Sequence, residues 1–209
     1  MKRVWWAPLF CGLIWMSLAV PVGAQGFDVH GLYIDKFYEL SLPIPTPSRV
    51  VVCHGFGCRA HTEVGLGPAD QARLTSILAQ GRGSPVAERK AIAQAVAWFE
   101  RRVAPEAGTT KAVARPNGRY PGGDPGQMDC VDTTANTMTL FYVLEALHLF
   151  RHHSLALPVS RHVFVDGVPH STAALRDIKT GDRWAFDPWT HNNGELPDVM
   201  PLQSWVMRD

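Results

Sequence analysis

The segment from about Cys130 to Arg151 is apolar on nearly every side of a helical wheel, with the unbroken run Leu140-Phe141-Tyr142-Val143-Leu144 at its centre. A helix of that kind has no face to give to water and belongs in the middle of its domain. Whatever precedes and follows it must wrap around it. Upstream, Ser84 and Pro85 open a helix in which Ser84 is the expected N-cap and Glu88 stands where a capping box wants it. Ile92, Val96, Phe99 and Val103 then recur in steps of four, three and four and share one face. Pro68 opens a shorter helix to about Gln80, and the β-branched run Arg49 to Cys53 reads as a strand.

Downstream the period changes. Arg161 to Asp166, Pro169 to Ile178 and Arg183 to Pro188 read as strands, the last two joined by the hairpin composition Lys179-Thr180-Gly181-Asp182. Helices followed by antiparallel strands give an α+β chain rather than an alternating α/β one. Residues 105–129 are rich in Gly and Pro and read as a loop, and a loop of that length in a compact domain tends to be functional. It delivers the chain to Cys130. Residues 25–67 read as an extended arm with at most a strand or two, and residues 68–104 as the helical part.

Lys2 and Arg3 precede an apolar stretch from Val4 to Val20 and then Val22-Gly23-Ala24, the pattern of a signal peptide spanning residues 1–24. An uncleaved membrane anchor is the alternative. Cleavage leaves 25–209 as a single domain without stable membrane insertion, exported to a periplasmic or extracellular space. The whole chain carries 20 basic and 19 acidic side chains, and loss of Lys2 and Arg3 leaves it one charge negative. That balance lacks the basic excess of a nucleic-acid-binding surface.

Export leaves three cysteines, Cys53, Cys58 and Cys130, and in an oxidising compartment an odd count leaves one thiol unpaired. The intervening His54-Gly55-Phe56-Gly57 turns tightly enough for Cys53 and Cys58 to bridge, which makes Cys130 the free one. Cys53 and Cys58 with His54 and His61 could instead bind zinc, although the spacing matches no common finger. Cys130 sits where a Gly-Pro-Gly loop gives way to a helix, and a helix N-terminus and a neighbouring imidazole both lower a thiol's pKa. His170 opens one strand and Asp187 closes the next, so the order Cys, His, Asp reads as nucleophile, base and orienter. His162 and His191 compete as the base and Asn192 or Asn193 as the orienter. His148, His152 and His153 form a second candidate cluster.

The pieces Asp129-Cys130, His170-Ser171-Thr172 and Phe186-Asp187-Pro188-Trp189, spaced by 40 residues from Cys130 to His170 and 17 from His170 to Asp187, carry a resemblance. The stretch from Gln127 to Trp189 resembles the catalytic core of the transglutaminase-like superfamily, especially its bacterial transglutaminase-like cysteine proteinases. Val131 and Ser171 stand where that family often has an aromatic residue. The resemblance implies a papain-like fold with residues 130–209 as its catalytic core. Cys130 would attack a carboxamide carbon, His170 would shuttle the proton and Asp187 would fix the imidazole. The backbone N–H of Cys130 and the side-chain amide of Gln127 would receive the oxyanion. Such an enzyme takes peptide or protein substrates, needs no cofactor and no metal, and transfers the acyl group to water as a protease or to an amine as a transglutaminase. A non-catalytic module holding peptide or glycan in the same groove is the competing class.

Overall fold

The computed structural model describes residues 28–116, 124–162 and 169–208, with nothing said of the His162 side chain. The expected leader, most of the strand expected over 161–166 and its link to the next strand lie outside these residues.

The first described element is helix α1 (Val29–Glu39), where the sequence suggested an extended arm. Val29, Tyr33, Phe37 and Leu40 recur every three or four residues and line one side, a helical period that the imperfect alternation obscured. Asp28 caps this helix by accepting from Gly31 N. Strands β1 (Arg49–His54) and β2 (Ala60–Gly65) form an antiparallel hairpin with Cys53 opposite His61. A disulfide joins Cys53 and Cys58 across its loop.

Helices α2 (Pro68–Ala79) and α3 (Pro85–Ala107) begin where their prolines predict. Ser84 Oγ caps α3 through Ala87 N, and Ile92, Val96, Phe99 and Val103 are all buried. Two details differ from expectation. Glu88 stands one residue past the N3 position a capping box needs, which is Ala87, and turns inward to the Arg151 and His152 N–H groups and the His153 ring. The helix also runs past Pro105, giving up that residue's backbone bond only two residues before its last, and ends at Gly108 with φ 73°.

Helix α4 (Cys130–Ala146) is buried on nearly all sides, as its composition requires. It packs on β1 on one side and on a four-stranded antiparallel sheet on the other. It stops five residues short of Arg151 because His148 takes φ 54° and turns the chain into β3 (His153–His162). That strand begins earlier than the expected Arg161 and runs through Pro158, which sits in a bulge between Ala156 and Val159 on the sheet edge, where a missing N–H does least harm. Strands β4 (Pro169–Asp177), β5 (Arg183–Asp187) and the unforeseen β6 (Asp198–Pro201) complete the order β3-β4-β5-β6.

Side chains on this sheet alternate. Ala173, Leu175 and Phe186 join the main core under α4, whereas Ala174 and Ala185 pack on the far side with Leu202 and Trp205 of the short helix α5 (Leu202–Val206). The fold is thus α+β. Among the described residues no helix is long and apolar enough to cross a membrane.

Candidate active site

Cys130 is the first residue of α4, and the way that helix starts decides what surrounds the thiol. A helix start leaves four backbone N–H groups without intrahelical partners. A reciprocal capping box takes three of them. The Asp129 carboxylate accepts from Val131 N at 2.9 Å and Asp132 N at 3.0 Å, and Asp132 Oδ2 accepts from Asp129 N at 3.0 Å. The fourth, the N–H of Cys130, is taken by neither carboxylate.

Asp132 also ties the disulfide loop to α4. Its carboxylate accepts from Phe56 N at 2.8 Å and Cys58 N at 2.6 Å, and one turn later Asn136 bonds both the N–H and the carbonyl of Cys53. Phe56 and Cys58 both stand at positive φ, 68° and 58°, a conformation rare outside glycine that these bonds and the disulfide hold in place. The same loop grips the segment leading to the thiol. Gly55 N donates to Gln127 O at 2.8 Å, and His54 Nδ1 donates to Pro125 O at 2.8 Å. Burial and the neighbouring Asp129 carboxylate push Asp132 up to about 7, against the pull of its N–H donors.

The thiol itself reaches the first residues of β4. Sγ donates at 3.7 Å to the carbonyl of Pro169, the residue just before His170, and the backbone of Ser171 just after it favours the thiolate. Cys130 is the one free cysteine among the described residues and is only 8% exposed. Burial, with smaller contributions from Asp129 and Asp187, pushes it up to about 11. The expectation that the helix N-terminus lowers the thiol therefore fails here, because the positive end of α4 is already matched by two carboxylates and the sulfur is out of water.

His170 and Asp187 are brought together as the sequence predicts. Extending the β4–β5 register by one pair places Asp187 across from Thr172, on the same face as His170 and diagonal to it. His170 Nε2 lies 2.6 Å from Asp187 Oδ2, both residues are buried, and the carboxylate can only accept. The proton is thus on Nε2, which leaves the Nδ1 lone pair open, and Nδ1 is buried without a partner among the described residues. Two indoles flank the ring, Trp189 with centroids 4.6 Å away and Trp205 at 5.2 Å.

The remaining candidates fall elsewhere. The Gln127 side chain is bonded at both ends to the preceding loop, Nε2 donating to Lys111 O at 3.1 Å and Oε1 accepting from Val113 N at 3.0 Å. His191 lies 3.2 Å from Asp198, Asn192 Oδ1 accepts from Ala114 N, and Asn193 N donates to Ala112 O, so the 191–193 loop fastens to the 112–114 segment. His148 is exposed, His152 lies 3.1 Å from Arg82 O and His153 is buried against Glu88, so the three form no cluster. Cys53, Cys58 and His61 do lie within ligand distance of one another, but the disulfide occupies both sulfurs and leaves no thiolate for zinc.

Sequence reasoning missed Asp132 and Trp205. Asp132 was legible, since Asp129-x-x-Asp132 before an apolar run is a capping-box pattern. Trp205 had no such signal beyond being the one aromatic residue after Trp189. No protein-family model, curated protein or solved structure matches the chain.

Proposed function

We propose that the protein is an exported thiol enzyme with a papain-like, transglutaminase-like core, cleaving peptide or other carboxamide bonds through Cys130, His170 and Asp187. One observation carries the reading: the one free thiol among the described residues is bonded to the carbonyl just before a histidine whose Nε2 is fixed by a buried carboxylate and whose Nδ1 has no partner among the described residues. The disulfide adds support for export, because such bonds persist in oxidising compartments.

The resting thiol is protonated, so attack and proton transfer belong to one step. As Sγ bonds to the carbonyl carbon, its proton passes to His170 Nδ1, and Asp187 steadies the imidazolium through Nε2. The carbonyl oxygen takes up the negative charge beside the Cys130 N–H, the one N–H at this helix end that no carboxylate occupies. The C–N bond then breaks, the amine leaves with the proton from Nδ1, and a thioester remains. Water, deprotonated by His170, attacks that thioester and releases the acid and the thiol. An amine in place of water gives the transglutaminase outcome. Gln127 adds a second, weaker oxyanion donor when its amide swings away from Lys111 O.

Incubating the full chain with a peptide library, with and without added primary amine, tests this. New termini without amine indicate hydrolysis, and amine-capped products indicate transfer. Cys130→Ala should abolish either. Cleavage that persists in Cys130→Ala sinks the proposal, whereas stoichiometric peptide binding without any covalent change by the unsubstituted protein favours the non-catalytic module.

A further inference from the structure

We propose that Trp205, in the last turn of the chain, is a positioning residue of the triad, an inference that rests on the catalytic reading given above. Asp187 Oδ2 accepts two hydrogen bonds, one from His170 Nε2 at 2.6 Å and one from Trp205 Nε1 at 2.8 Å. Its other oxygen, Oδ1, is buried and has no partner among the described residues. The orientation of this carboxylate is therefore set by the imidazole and the indole alone. Take away the indole N–H and the carboxylate keeps a single bond, to the very ring whose angle it is meant to fix. It is then free to turn about its Cβ–Cγ bond and to carry the imidazole with it.

The indole is itself held from outside. Arg161 of β3 stacks its guanidinium 4.7 Å from the Trp205 ring centre, donates to Trp205 O at 2.6 Å and also donates to Arg208 O. Trp205 is 1% exposed and closes the sheet face on which His170 and Asp187 lie, opposite α4. Cys130 approaches from the α4 side and meets the dyad at the start of β4, so the C-terminal turn secures one half of the triad while α4 presents the other. Helix α5 thus does for Asp187 what Asp187 does for His170.

The test replaces the N–H alone. Benzothienylalanine at position 205 keeps the indole's shape with sulfur in place of N–H, and Trp205→Phe is the simpler variant. The expected result is a fall in kcat of about 10- to 100-fold with KM within about two-fold, the pattern of lost alignment rather than lost binding. In the substrate-free protein the low-field Nε2–H proton resonance of His170 should move or broaden in both variants. Arg161→Gln, which leaves the indole in place but loosens it, should give a smaller change of the same kind. An unmoved resonance and unchanged kcat in the benzothienylalanine protein would overturn the proposal. Because the resonance is read without substrate, it tests the positioning role even if the protein turns out to cleave no peptide.

Discussion

Two buried histidine–carboxylate pairs stand at opposite ends of the β3–β4 ladder, each closed by a contact of 2.6 Å, and only one resembles a working site. His170 with Asp187 lies at the start of β4, whereas His153 with Glu88 lies at its far end, where His153 pairs with Asp177 in the strand register. The difference is in the second ring nitrogen. His153 Nδ1 donates to Glu88, and its Nε2 faces Arg89 at 3.2 Å; a guanidinium can only donate, so that nitrogen must accept. Arg89 is engaged again by Asp177 at 3.9 Å and by the Trp184 ring at 3.6 Å. Every position on the His153 ring is therefore in use, and the pair works as a bolt between α3 and the sheet. The His170 ring keeps one nitrogen open, and the Cys130 thiol reaches the carbonyl of the adjoining Pro169. Chemistry is marked by what a buried polar group leaves unfilled, not by the pair itself.

Substitution should separate the two pairs cleanly. Cys130→Ala should lower turnover by about 10⁴-fold or more with the melting temperature near that of the parent, and His170→Ala should lower it as far while leaving the protein folded, at some cost in stability because Asp187 then keeps one donor, Trp205 Nε1. Glu88→Ala should do the reverse. It strands the Arg151 and His152 N–H groups and the His153 ring without an acceptor, which should cost about 3–5 kcal/mol in denaturant unfolding. Activity per folded molecule should persist. If Glu88→Ala silenced folded protein, or His170→Ala unfolded it, the division of labour drawn here would collapse.

pH sharpens the same contrast. Burial opposes ionisation of Glu88, but the His153 ring and the two backbone N–H groups outweigh it and hold the carboxyl below its ordinary value. A carboxyl lowered on folding stabilises the fold above its unfolded value of about 4.3, and that stability is lost as pH falls through the lower folded value. Acid unfolding should therefore steepen below about pH 4.3, and Glu88→Gln should flatten that limb. The thiol behaves oppositely: with Cys130 pushed up to about 11, its alkylation by iodoacetamide in the resting protein should be slow near neutrality and climb through the alkaline range. A rate already at its plateau at pH 7 would mean that a Cys130–His170 ion pair exists at rest.

The legible parts of the molecule were those that local chemistry decides. Ser84-Pro85 and Pro68 announced their helices, the all-round apolar run over 140–144 announced a central one, and Cys130, His170 and Asp187 were ordered as the strands required. What stayed hidden was decided by tertiary partners. Glu88 reads locally as an acidic residue of the first turn of α3, and only the turn after α4 draws it inward. Arg161 reads as the start of a strand, and only the bulge shows how that strand runs through Pro158. Tyr33 and Phe37 look like part of an extended arm until α4 supplies Met138 O for the Tyr33 hydroxyl and the Tyr142 ring for Phe37. The low thiol pKa expected from helix position likewise depended on an N-terminus that Asp129 and Asp132 had not already matched.

The smallest effect is expected at Gln127, where the two regions differ in how their donors are supplied. At the Glu88 bolt, backbone N–H groups of Arg151 and His152 face the carboxylate with no competing acceptor. At the candidate active site one backbone N–H, that of Cys130, is similarly placed, while the Gln127 amide is shared with Lys111 O and Val113 N. A donor dedicated to an oxyanion is worth roughly 3 kcal/mol in the transition state. One that must swing away from an existing bond returns only the difference between the two bonds, on the order of 1 kcal/mol. Gln127→Ala should therefore lower kcat by less than about ten-fold and loosen the 111–113 segment, visible as faster amide exchange at Val113. A loss of 100-fold or more, with Val113 exchange unchanged, would show that Gln127 points at the reacting carbonyl during turnover and that the helix end does not stabilise the oxyanion alone.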